Sequence, residues 1–158
     1  MGALIVFARD QRLEEYFKTG TSIDAEVSDQ LIRNIFFKNS PLHDGAMIIR
    51  DGRIATAGCV LPLSTNENLA PELGTRHRAG VGMSEATDAV VVIVSEENGS
   101  ISVASGGMLK RKLTVATLDK LLRQELHAVE EEEDNATFPA QMLKKLSGRA
   151  KEDGYEKK

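Results

Sequence analysis

Three short polar clusters hold most of the side chains able to do chemistry. The richest runs from Glu72 to Met83 and packs Arg76, His77, Arg78 and three glycines between two apolar stretches. Gly74 and Thr75 read as the start of a helix, with Thr75 able to cap its free backbone N–H groups. Arg76, His77 and Arg78 then fall in the first turn, where the helix dipole is already positive. Cations placed against a positive terminus want an anion, and free N–H groups together with guanidinium forks suit a phosphate. The competing reading is plain: solvated arginines and a histidine packed sideways.

The second cluster is His43-Asp44-Gly45, just after a Pro41 turn. Adjacent histidine and aspartate can supply two metal ligands, or a base with its orienting partner, and Gly45 would let a ligand approach the backbone. An Asp-Gly turn with His43 exposed is the ordinary alternative. The third cluster, Ser95-Glu96-Glu97, places a hydroxyl and two carboxylates after an apolar run. Most such glutamates only solvate a hairpin tip. Together the three clusters supply carboxylates for a divalent metal, cations for phosphates and a candidate base, an inventory suited to nucleotidyl or phosphoryl transfer. Neither a Walker Gly-Lys-Ser/Thr signature nor a Rossmann Gly-x-Gly-x-x-Gly after a strand occurs, which disfavours the usual P-loop and dinucleotide folds.

The elements that must position these clusters follow from periodicity. Gly2 to Ala8 reads as a buried strand, too short for a membrane span. Leu13 to Phe17 is a short helix closed by Gly20, and Ser22 to Val27 alternates as a half-exposed strand does. Ser28 caps a helix whose Leu31, Ile32, Ile35 and Phe36 form a core stripe. Met47–Ile49 and Ile54–Leu63 flank Asp51-Gly52, a two-residue hairpin signal. Ser64 to Leu73 is a polar loop. Ala79, Gly80, Gly82 and Ala86 give the basic helix a small-residue side, suited to close packing on a sheet or on a second copy of the domain. Ala89–Val94, β-branched without alternation, is a central strand buried on both faces, and Ile101–Ala104 is its partner. After Gly106-Gly107 comes a short basic segment, Met108–Lys112. A last helix then starts at Thr114 or Thr117 and runs to His127 on a stripe of Leu118, Leu121, Leu122 and Leu126. Glu130 to Lys158 opens with five consecutive acids and reads as a mobile tail with at most one short helix, around 140–146.

At 158 residues, 41% hydrophobic and 28% charged, the chain is long enough for one domain with a proper core. Its net charge of −4 argues against a general nucleic-acid binder, so any anion site is local. Cys59, alone in an apolar run, fits a reducing compartment and a small buried hydrophobe.

Pro41 to Ala46, followed by Leu73 to Ala79, closely resembles the Asp-Gly-Ala and Arg-His-Arg motifs of the diadenylate cyclase domain. Ser95-Glu96-Glu97 resembles the membrane-anchored CdaA (DacA) form rather than the DNA-scanning DisA form. The resemblance covers residues 2 to 126. It implies a single α/β (α+β) domain at 1–127, built on a twisted mixed parallel and antiparallel sheet flanked by helices, with 128–158 outside it. It implies condensation of two ATP into cyclic di-AMP with release of two pyrophosphates, at a face-to-face dimer of two copies. Asp44 would then activate the 3′-hydroxyl. Gly45 would allow close approach of the nucleotide, and Leu61, late in the second hairpin strand, would contact adenine through its backbone. Thr75, Arg76, His77, Arg78 and Ser95 would hold phosphates. His43, Asp44 and Glu97 would bind a divalent metal, Mn²⁺, Mg²⁺ or Co²⁺. Val60 stands where the family often has an aromatic, which removes a stacking partner. Relatives of this type carry transmembrane helices ahead of the domain, so the resemblance implies a soluble fragment, itself without membrane contact, of a protein tethered at the cytoplasmic face of the bacterial membrane. Two other readings use the same residues: a nucleotide-sensing module without turnover, and a dimerisation unit built on the small residues of 79–86.

Overall fold

A computed structural model describes residues 1–126. The expectations for His127, for a boundary after it and for the tail lie outside the described residues. In chain order the elements are β1 Ala3–Phe7, α1 Glu14–Phe17, β2 Thr21–Glu26, α2 Asp29–Phe36, β3 Ala46–Arg50 and β4 Arg53–Cys59. There follow α3 Thr75–Ala86, β5 Val90–Val94, β6 Ile101–Ser105, β7 Met108–Leu113 and α4 Val115–Glu125. The strands form one seven-stranded sheet in the order β2-β4-β3-β1-β5-β6-β7. Only β1 and β3 pair in parallel; every other pairing is antiparallel. The expected mixed sheet flanked by helices is present.

The unalternating apolar strands are explained by helices on both faces. Ala3, Ile5 and Phe7 of β1, with Val90, Val92 and Val94 of β5, pack with α2 and α4 residues Ile32, Ile35, Phe36, Leu118 and Leu122. Leu4 and Val6, with Val91 and Ile93, pack instead with Ala79, Val81 and Met83 of α3. Strands buried on both sides need apolar residues at every position. β2 stands at the sheet edge with alternating burial, and its sequence alternates accordingly.

Local signals close the elements. Ser28 Oγ accepts from Leu31 N at 3.0 Å to start α2, and Thr114 Oγ1 accepts from Thr117 N at 3.1 Å to start α4. At the β3–β4 turn Asp51 and Gly52 have φ of 52° and 77°, the paired positive values of a type I′ hairpin turn.

The structure corrects two expectations and decides a third that was open. Met108–Leu113 is a strand, the sheet-edge β7, rather than only a basic segment. Leu61 lies two residues beyond β4, which ends at Cys59. The small residues of α3 pack inside this chain: 79–84 are buried. A Cβ on Gly80 would stand 2.8 Å from Ile93 Cδ1, and one on Gly82 would stand 2.0 Å from the Pro62 carbonyl oxygen. Of the two expected partners it is the sheet, with the chain's own loop, that takes this contact, while Ala86 is exposed.

Candidate active site

Strand directions bring the three polar clusters to one end of the sheet. Ile5 pairs with Met47 in the parallel β1–β3 ladder, Ala46 faces Cys59 across β3–β4, and Ala3 faces Val94 across β1–β5. The starts of β1 and β3 and the ends of β4 and β5 therefore lie together. His43-Asp44-Gly45, Val60-Leu61, Gly2 and Ser95-Glu96-Glu97 all emerge there. The start of α3 reaches the same place, because Arg76 Nη1 donates to Glu96 Oε1 at 3.1 Å across the floor made by Gly2.

The start of α3 differs from expectation in one respect. Its N-cap is Gly74, in extended conformation, and no side chain accepts from its first turn; Thr75 is already the first helical residue. Thr75 is thus no cap, and among the described residues the N–H groups of that turn have no side-chain acceptor. An uncapped helix start is a stronger anion site than a capped one, since the donors remain available. The Arg78 guanidinium, half-buried, has no hydrogen bond or ion pair among the described residues. Its backbone is tied on both sides, with Arg78 N donating to Gly74 O at 3.1 Å and Arg78 O accepting from Ser64 N at 2.9 Å. His77 is held below the usual histidine range, first by burial and then by the charges of Arg111 and Arg76. A lowered value leaves it a neutral hydrogen-bonding group at pH 7.

At the β3 end, His43 Nδ1 lies 2.8 Å from Ser40 O. A carbonyl only accepts, so Nδ1 carries a proton, and in the neutral ring the lone pair a metal needs is then on Nε2. The Asp44 carboxylate is exposed and unpartnered among the described residues. Gly45 has a φ of 159°, and a Cβ there would lie 2.7 Å from Gly58 C. The neighbouring strand by itself requires a glycine here. Leu61 is buried in the core cluster that α3 covers, while Val60 beside it is 66% exposed.

In the turn after β5, Ser95 Oγ accepts from Glu97 N at 3.2 Å, and Ser95 N donates to Ser100 O at 2.9 Å. Glu97 is exposed and its carboxylate is free among the described residues. The expected metal set is only partly assembled: no group of three or more His, Cys, Asp or Glu side chains among the described residues is close enough to hold an ion. Imidazole nitrogen and carboxylate oxygens still suit Mn²⁺, Mg²⁺ or Co²⁺. Such ions commonly take one or two protein ligands and complete their shell with substrate phosphates. The residues fit a metal that arrives with a nucleotide.

Sequence reasoning gave no role to Glu96, Arg111 or Gly2. Glu96, held below the usual carboxylate range by its hydrogen bond from Arg76, is the acid that engages the helix arginine. Arg111 Nη1 donates to Glu72 Oε2 at 3.3 Å, close enough to α3 to act on His77. The sequence offered two adjacent glutamates and no means of telling which one meets Arg76.

The family described as DisA bacterial checkpoint controller nucleotide-binding (DAC) matches residues 1–109. The chain belongs to the DAC family. A relative in the family, the diadenylate cyclase of Listeria monocytogenes, is 50% identical over 129 residues, covering 82% of this chain and 47% of that protein. The chain thus spans about half the length of this curated relative. Among solved structures, a double mutant of DacA from Staphylococcus aureus superposes with a TM-score of 0.77 at 47% identity, over 79% of this chain and 83% of the other. A hypothetical membrane spanning protein from Bacillus cereus gives 0.68 at 43% identity, over 72% and 55%. The DAC sheet and its flanking helices are therefore shared with experimentally determined folds at substantial identity. Among the described residues no helix is long and apolar enough to cross a membrane.

Proposed function

We propose that this DAC domain is a diadenylate cyclase, condensing two ATP into cyclic di-AMP with release of two pyrophosphates at a site shared by two face-to-face copies. The observation that carries the reading is one sheet end that collects an uncapped helix start, the Arg78 guanidinium and the carboxylates of Asp44 and Glu97, these three side chains having no partner among the described residues. Cationic donors without an anion, beside acids without a cation, are the two halves of a metal–triphosphate site. The Listeria relative's name gives the same activity.

In this reading the first-turn N–H groups, the Thr75 hydroxyl and the donors of Arg76, His77, Arg78 and Ser95 hold the phosphates. The main chain at Gly45 and Leu61 borders the nucleoside. Asp44 takes the proton of the 3′-hydroxyl as its oxygen attacks the α-phosphorus of the nucleotide on the facing copy. The bond from that phosphorus to pyrophosphate breaks, and arginine and amide donors stabilise the charge that develops. His43, Asp44 and Glu97 would hold a divalent ion together with phosphate oxygens, and the ion when bound neutralises charge on the leaving pyrophosphate and acidifies the hydroxyl. The second reaction of the pair repeats the step with the two copies' roles exchanged. The 128–158 segment lies outside this chemistry. We assign the full-length protein to the cytoplasmic face of the bacterial membrane, supported by the likeness to a B. cereus protein described as membrane spanning.

Incubation with ATP and Mn²⁺, Mg²⁺ or Co²⁺, followed by chromatography, yields cyclic di-AMP. Tight ATP binding without pyrophosphate release under all three metals would instead favour nucleotide sensing without turnover.

A further inference from the structure

Arg76 is held in an unusual seat. Its Nη1 donates to Glu96 Oε1 at 3.1 Å, while its guanidinium lies so close over Gly2 that a Cβ there would stand 2.7 Å from both Cζ and Nη1. The same Cβ would be 3.1 Å from Glu96 Cβ. Arg76 Nε is buried without a hydrogen-bond partner among the described residues. An ion pair this exposed, with side chains 23% and 47% accessible, adds little to stability. A buried donor left unsatisfied detracts from it. The pose is therefore not there to hold the fold together. It also puts a carboxylate where phosphate is expected, which would repel the ligand unless the acid does something useful.

We propose that Glu96 is a positioning residue: its carboxylate and the bare Cα of Gly2 fix the Arg76 guanidinium in the orientation that receives a nucleotide phosphate. The inference rests on the nucleotide-binding reading of this site and adds Glu96 and Gly2 to it. Arg76 has five N–H donors in a rigid fork. With Nη1 committed to Glu96, the fork cannot rotate freely about its long side chain, and its remaining outward donors are presented in one direction. Preorganisation of this kind lowers the ordering cost of binding.

The sign of the effect separates this role from simple repulsion. Binding of α,β-methylene-ATP, which blocks chemistry at the α-phosphate, is measured by calorimetry with Mg²⁺ for the wild type, Glu96→Gln, Glu96→Ala and Gly2→Ala. Glu96→Gln keeps an acceptor for Nη1 at the same length and stays within about threefold of the wild type, while Glu96→Ala loses about tenfold in affinity. Gly2→Ala displaces the flexible end of Arg76 and crowds Glu96 Cβ at 3.1 Å, the two groups whose contact sets the orientation, and weakens binding in the same direction. The Gly2→Ala/Glu96→Ala pair is no weaker than its worse single variant, because both remove one orientation. Glu96→Ala binding as tightly as the wild type, or more tightly, overturns the proposal. A wild type that fails to bind the analogue overturns both this inference and the reading beneath it. A wild type that binds but makes no cyclic dinucleotide from ATP sinks only the cyclase reading, and the order of affinities still decides the role of Glu96.

Discussion

Asp44 and Arg78 are opposite charges at the same sheet end that have no partner among the described residues, while Arg76, two residues from Arg78, is paired. A free carboxylate beside phosphate donors is positioned to take a proton, and removing a general base costs about a hundredfold or more in rate. Asp44→Asn is expected to lose at least that in turnover and to retain most of its ATP affinity, since the phosphate donors are untouched; normal turnover would exclude the role. His77 gives a pH dependence. Burial, followed by Arg111 and Arg76, lowers its folded-state pKa. As pH falls below the ordinary value of 6.5, the unfolded chain takes up a proton before the folded chain does. Stability from this group is thus complete above 6.5 and is lost as pH drops through the lowered value. Urea midpoints measured across that window should fall less steeply for His77→Gln than for the wild type, and identical slopes would mean that His77 titrates normally.

Elements were legible where their signals are local. Ser28, the Asp51-Gly52 turn and the leucine stripe of α4 each specify structure within a few residues, and each stands as read. β7 was missed because Lys110, Arg111 and Lys112 mask its alternation; such charges are how edge strands avoid pairing with other chains. The end of β4 was read too late because Val60 and Leu61 prolong an apolar run after the ladder stops. The capping role given to Thr75 failed by one position: Gly74 takes that place and brings no side chain. The joining of α3 to the Leu61–Ser64 segment, through Ser64 N and Arg78 O, depends on a close approach at Gly82. Alanine there gains about 1 kcal/mol of helix propensity. It meets backbone atoms that cannot rotate aside, however, an overpacking cost of about 1–3 kcal/mol or more. Gly80→Ala meets only the ends of Ile93 and Val91 side chains. Denaturant midpoints should therefore fall further for Gly82→Ala than for Gly80→Ala; the reverse order would contradict the packing.

At the scale of the whole molecule, the site exists because β1 and β3 pair in parallel and β1 and β5 antiparallel, so that segments distant in sequence surface together. No local pattern encodes which strands are neighbours. The residues could be singled out as chemical candidates from sequence, but their convergence was available only through the resemblance to a family. With a weakly associating domain, specific activity rises with protein concentration, because mass action governs the fraction paired. Constant specific activity down to high dilution would contradict weak pairing. The central claim is tested most directly by quantifying pyrophosphate and cyclic di-AMP in one reaction with ATP and Mn²⁺, at protein concentrations high enough to pair. The account predicts two pyrophosphates for each cyclic dinucleotide; pyrophosphate or phosphate released with no cyclic dinucleotide, or no release at all, would contradict it.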